Sequence, residues 1–141
     1  KAWIVDVSTE SKPRTMASWT VDDASGDFCR RGGRFGTHSS NESFSPVYYG
    51  RIMFFAHFNA GVRAVDIRDP AHPQEIGHYI PAATDRTAKR CAGGTARCQG
   101  VIQTNNVEVD DRGYIYIVDR AGTGMHILEL TGAARAIAAF K

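Results

Sequence analysis

Imidazole is the side chain best suited to hold a transition metal or to move a proton near neutral pH. The 141-residue chain has five histidines, and two of them adjoin other hydrogen-bonding residues at the ends of strand-like runs. His38 opens the polar run Ser39, Ser40, Asn41, Glu42, and His57 is followed by Phe58 and Asn59. Asn105, Asn106, Asp119 and Arg120 form a second polar group further along. Together, His38, Ser39, Asn41, Glu42, His57, Asn59, Asn105, Asn106, Asp119 and Arg120 supply the donors and acceptors of a ligand site. His38 with His57, supplemented by Glu42 and Asp119, also has the donor types of a transition-metal site, which would be the cofactor of a metal-dependent oxidoreductase or hydrolase. The plainer alternative is that these groups bond neighbouring backbone and water. His72 and His78 fall in a turn and an outer strand and read as structural.

Other chemistry is weaker. Arg30-Arg31-Gly32-Gly33-Arg34-Phe35-Gly36 has the composition of an anion cradle or a solvated loop. It lacks the Gly-Lys-Ser/Thr ending and following helix of a phosphate-binding loop. No Gly-x-Ser-x-Gly elbow occurs, and Asn41-Glu42-Ser43 is a glycosylation acceptor only formally. Cys91 and Cys98 flank the flexible Ala-Gly-Gly-Thr-Ala-Arg and are expected either to form a disulfide or to stay ordinary thiols, with Cys29 left over. Zinc spacing is absent. Cysteines placed in loops lean towards an oxidising compartment, periplasmic or secreted.

A net charge of +2 with 23% charged residues gives no electrostatic footprint for nucleic acid, and no apolar stretch has the ~20 residues of a membrane helix. The first residues already lie inside a strand pattern, so the chain is expected to be a piece of a longer one.

The elements that must position these groups are short strands. Arg51 to His57, Val62 to Ile67 and Glu75 to Ile80 are β-branched and aromatic runs separated by turns at Phe58-Asn59-Ala60-Gly61 and Asp69-Pro70-Ala71-His72-Pro73. Ala2 to Val7, a turn ending at Pro13, and Thr15 to Val21 repeat the last two runs, with Asp6 and Pro13 each sixty residues before Asp66 and Pro73. Thr37 to Phe44 supplies a polar strand ahead of Arg51. Gln103 to Val109, the Asp110-Asp111-Arg112-Gly113 turn, Tyr114 to Asp119 and Met125 to Leu130 repeat the unit again. Ala133 to Phe140 is expected to close it as an outer strand, although its alanines also suit a helix. Four-stranded units at a spacing of ~40–50 residues mark a β-propeller. The expected organisation is the outer two strands of a first blade over 1–21, a second blade over 37–80 and a third over 103–141. Long loops span 22–36 and 81–102. The fold class is all-β, a fragment of about two and a half antiparallel blades whose ring needs further blades from the same or other chains.

Val5-Asp6-Val7 with Pro13, and Val65-Asp66-Ile67 with Pro70, Pro73, Gly77 and Tyr79, resemble the LVIVD-repeat family of bacterial β-propellers. The third copy, Ile127-Leu128-Glu129-Leu130, departs from the pattern: Glu replaces Asp and no Pro follows. More loosely, the resemblance extends to selenium-binding, methanethiol-oxidase-like propellers, which use metal-bound histidines. The resemblance implies a structural repeat and fixes no chemistry.

In such a blade the two long loops, the start of each innermost strand and the turns at His57 and Asp119 share one face. Ligand sites favour the mouths of closed β architectures. The expected function is binding of a small molecule or a protein through this face. The metal enzyme is the alternative, and a purely structural scaffold the second alternative.

Overall fold

A computed structural model describes residues 1–91 and 98–140. The first unit pairs β1 (Ala2–Asp6) with β2 (Arg14–Trp19) as an antiparallel hairpin. The second runs β3 (Phe35–Ser40), β4 (Ile52–Phe58), β5 (Val62–Asp66) and β6 (Gln74–Tyr79), each strand antiparallel to the next. A small hairpin, β7 (Lys89–Cys91) with β8 (Cys98–Gly100), stands in the second long loop. The third unit is β9 (Thr104–Val109), β10 (Ile115–Asp119) and β11 (Gly124–Leu128). Three successive antiparallel units of this kind make an all-β partial propeller.

The repeated aspartate has a local job. Asp6 Oδ1 accepts the main-chain N–H of Ser8 at 2.9 Å, and Asp66 Oδ1 that of Arg68 at 3.0 Å. Each is an Asx turn, which reverses the chain into the next strand. Arg14 and Arg68 then pair with the same carboxylates at 2.8 Å. Ser8 and Arg14 hold the Asp6 carboxyl down at about 2, and Arg68 lowers that of Asp66.

The third unit lacks this device, and its outer edge corrects the sequence expectation. Residues 133–140 form no strand; a short helix, α1 (Gly132–Arg135), begins where an outer strand was expected. Glu129 stands where Asp66 stands in the previous copy, and its longer side chain makes no Asx turn. The alanines after Gly132 favour helix once no turn directs the chain back along β11. Phe140 instead packs edge-on against Tyr48, with ring centroids 6.1 Å apart.

Alternation along β4 divides the core in two. Ile52, Phe54 and Ala56 pack with Val107, Ile115 and Ile117 of the third unit. Phe55, one residue out of phase, packs with Trp19 and Val65 towards the first unit. Successive strand residues point to opposite faces, so a central blade presents one apolar face to each neighbour. The end units leave apolar faces open: Trp3 is 63% exposed on one, and Met125 60% on the other.

The polar strand also shifts from its expected place. It spans Phe35–Ser40, not 37–44. Beyond Ser40, Asn41 continues the ladder alone: its N–H donates to the Phe54 carbonyl at 3.2 Å, and its Oδ1 accepts the Phe54 N–H at 2.9 Å.

Candidate functional site

Two loops and four strands meet where the second and third units join. A single bridge, Phe58 to Thr104, links β4 to β9. Next to it the β3–β4 ladder slips between Phe35 and Ser39. Such irregularities re-aim side chains, and here two successive residues turn towards β9. His38 Nδ1 and Ser39 Oγ both donate to the main-chain carbonyl of Asn105, each at 2.8 Å. A carbonyl only accepts, so the proton of a neutral His38 lies on Nδ1 and leaves Nε2 as an acceptor. Arg120 Nη1 donates to Asn105 Oδ1 at 3.4 Å, while Asn105 Nδ2 donates to Asn106 Oδ1. Asn105 is therefore the hub that His38, Ser39, Asn106 and Arg120 share.

Gln103, 2% exposed, braces the hub from below. Its Oε1 accepts the Arg34 N–H at 2.9 Å and its Nε2 donates to the Arg34 carbonyl at 3.3 Å, imitating a strand pairing. The Gln103 carbonyl accepts the Arg120 N–H at 3.0 Å, and the Gln103 N–H donates to Asp119 Oδ2 at 2.5 Å. Asp119 Oδ1 accepts the N–H groups of Ala121 at 2.6 Å and Thr123 at 3.4 Å. Both oxygens of this buried carboxylate thus serve the backbone, and Asp119 is a clasp beneath the site.

Phe58 lies between the arginine loop and His38. The Arg34 guanidinium carbon sits 5.8 Å from its ring centroid, and the His38 ring 4.9 Å away at a steep angle. Its φ of 43° is left-handed, an unusual conformation for a bulky aromatic. The turn holds it there: the Asn59 N–H donates to the Arg34 carbonyl at 3.2 Å and the His57 N–H to the Gly61 carbonyl at 2.8 Å.

Other residues of the expected site lie elsewhere. His57 is fully buried between the first and second units, edge-on to Trp19 and 4.8 Å from the Phe35 ring. Burial drives its pKa down to about 4, and neither ring nitrogen has a hydrogen-bond partner. His57 and His38 thus contact different neighbours. Among the described residues no three histidine, cysteine, aspartate or glutamate side chains cluster closely enough to hold a metal ion. Asn59 Nδ2 ties the first loop down, donating to Phe28 at 2.8 Å and Gly32 at 3.0 Å. Glu42 lies further along, where its N–H faces the Glu108 carboxylate, both oxygens at 3.3 Å.

One hydrogen bond links the two long loops. Gln99 Nε2 donates to the Arg31 carbonyl at 3.2 Å, and a disulfide joins Cys91 to Cys98 across the β7–β8 hairpin. Cys29 is a free, exposed thiol. No helix among the described residues is long and apolar enough to cross a membrane.

Arg34, Phe58 and Gln103 stand outside the expected site residues. Arg34 carried a signal in the arginine-glycine run; nothing in the local sequence marks the backbone of Phe58 or the bracing by Gln103.

A repeated antiparallel unit whose core lies between units, with polar inner strands at one end, defines a partial β-propeller. Residues 48–80, which run from Tyr48 through β4, β5 and β6, match the family model of the LVIVD repeat, found in β-propeller proteins. No curated protein is significantly similar to the chain.

Proposed function

We propose that this chain contributes a ligand-binding face to a closed β-propeller, with the site at the channel mouth where the second and third units meet. One observation carries the reading: His38, Ser39 and Arg120, from two units, converge on Asn105 while remaining at the surface. The imidazole and guanidinium stand exposed, so their remaining polar atoms are open to a ligand. The open apolar faces at Trp3 and Met125 support a ring completed by further blades. The Cys91–Cys98 disulfide supports a periplasmic or secreted setting.

The test is a thermal-shift screen of the intact propeller against small organic acids, amines and sugars, repeated on His38→Ala. Compounds that stabilise the parent and not the variant are the expected result. If no compound acts, or His38→Ala changes nothing, the blades serve as a rigid scaffold. A metal-dependent oxidoreductase or hydrolase is the second reading, and since no three ligand side chains cluster among the described residues it would draw its other ligands from further blades. It requires stoichiometric transition metal in the purified protein, lost on replacing His57 or His38.

A further inference from the structure

We propose that Arg34, His38 and Arg120 form a receptor for a small oxyanion that carries a neighbouring hydroxyl, a hydroxy acid or a sugar phosphate, seated beside the Phe58 ring. The proposal rests on the channel-mouth reading above and names its ligand class.

The first support is charge without a partner. Arg14, Arg63, Arg68 and Arg112 each pair with a carboxylate at 2.7–2.9 Å. Among the described residues Arg34 and Arg120 pair with no carboxylate, as do Arg31, Arg51, Arg86 and Arg90, but only Arg34 and Arg120 share contacts with His38, through Phe58 and Asn105; both are exposed. The carboxylate adjacent in sequence, Asp119, is occupied by the N–H groups of Gln103, Ala121 and Thr123. Guanidinium groups suit carboxylate and phosphate because their donors form a planar fork.

The second support is position. The main chains of Arg34 and Arg120 both bond to Gln103, which is almost fully buried, so a rigid point fixes the origins of both side chains. Arg34 and His38 both lie against the largely buried Phe58 ring, and His38 and Arg120 both bond to Asn105, so His38 is the link between the two arginines. Left-handed backbone at an aromatic costs free energy, and such strain persists where the surroundings impose it and collects at binding sites.

The third support is the His38 tautomer. With Nδ1 donating to Asn105, a neutral ring presents Nε2 as an acceptor. An oxyanion alone offers it nothing; a hydroxyl next to the oxyanion donates to it.

Binding to the intact propeller is measured by calorimetry with four probes: acetate and inorganic phosphate, which lack the carbon-borne hydroxyl, and glycerate and glycerol phosphate, which have it. Glycerate or glycerol phosphate is expected to bind more tightly than its simple counterpart, and whichever does identifies carboxylate or phosphate as the group taken. That advantage disappears in His38→Ala. Arg34→Gln and Arg120→Gln each weaken binding at least about tenfold, the loss of one charge-assisted hydrogen bond. Arg68→Gln, in an outer turn and paired with Asp66, leaves it unchanged. Equal binding in Arg34→Gln, Arg120→Gln and the parent overturns the proposal. If all four probes fail while the screen still yields His38-dependent compounds, the oxyanion inference falls and the binding face stands. If both fail, both fall.

Discussion

The phenolic hydroxyl of Tyr48 donates to the main-chain carbonyl of Gly113 at 2.5 Å, fastening the turn before β4 to the β9–β10 hairpin of the next unit. Tyr48 is 1% exposed, and burial pushes its pKa up to about 12. Its ring lies edge-on to Phe54 at 4.9 Å, so hydrogen bond and packing act at one seam. Tyr48→Phe keeps the ring and strands the Gly113 carbonyl. A loss of about 1–2 kcal/mol is expected in urea unfolding. An unchanged midpoint would mean water replaces the hydroxyl.

Asp119 is expected to matter through backbone it does not share in sequence. Asn at this position keeps the shape but offers a single acceptor oxygen, uncharged. Asp119→Asn should cost roughly 2–3 kcal/mol, since hydrogen bonds to a charged group are the stronger ones. Amide exchange at Gln103 and Ala121 should accelerate most, because their N–H groups are the released donors. Uniform acceleration across the chain would contradict this.

His57 should make the protein sensitive to acid. Its folded pKa of about 4 lies below the ordinary value of 6.5 because burial disfavours the charged ring. Below pH 6.5 the unfolded chain therefore takes up a proton that the folded chain refuses. Stability falls as pH drops from about 6.5 to about 4, by roughly 3 kcal/mol in all, and then levels for this group. His57→Phe removes this slope. Asp6 behaves differently: its folded pKa of about 2 lies below the ordinary value, so its contribution is lost only as pH falls from about 4 towards 2. Denaturation midpoints between pH 4 and 7 for the parent and His57→Phe separate the two groups.

The Cys91–Cys98 disulfide closes a loop seven residues apart in sequence, on an exposed hairpin. Constraining so short a loop is worth roughly 2 kcal/mol locally. Reduction should therefore speed amide exchange in β7 and β8 and leave the unfolding midpoint of the blades nearly unchanged. Free thiols at both positions in protein purified without reductant would remove the disulfide and its support for an exported setting.

Much of the fold is legible in the chain because its turns carry explicit chemistry. Asp6 and Asp66 can each reach an amide two residues on, and a proline later in each turn limits where the next strand starts, so strand pairs follow from local sequence. The same logic explains the miss at 133–140. Glu129 already departed from the repeat, but whether a strand or helix follows depends on what the segment can pack against, and Phe140 finds Tyr48 from another unit. For the site, the polar runs at His38 and Asn105 were visible because apolar residues would normally fill an inner strand. Their meeting on one carbonyl was not, since it needs the slip in the β3–β4 ladder.

What the amino-acid order determines by itself here is the unit: its turns, the LVIVD repeat over 48–80 and an alternation that gives β4 two apolar faces. Tertiary structure decides which face each polar residue meets. His57 and Phe58 are neighbours in sequence, yet the His57 ring lies against Trp19 while Phe58 supports His38. Alternation places neighbouring strand residues on opposite sides. Which side meets the first unit and which the third depends on the units packed against the strand, through contacts between residues as far apart as His38 and Asn105.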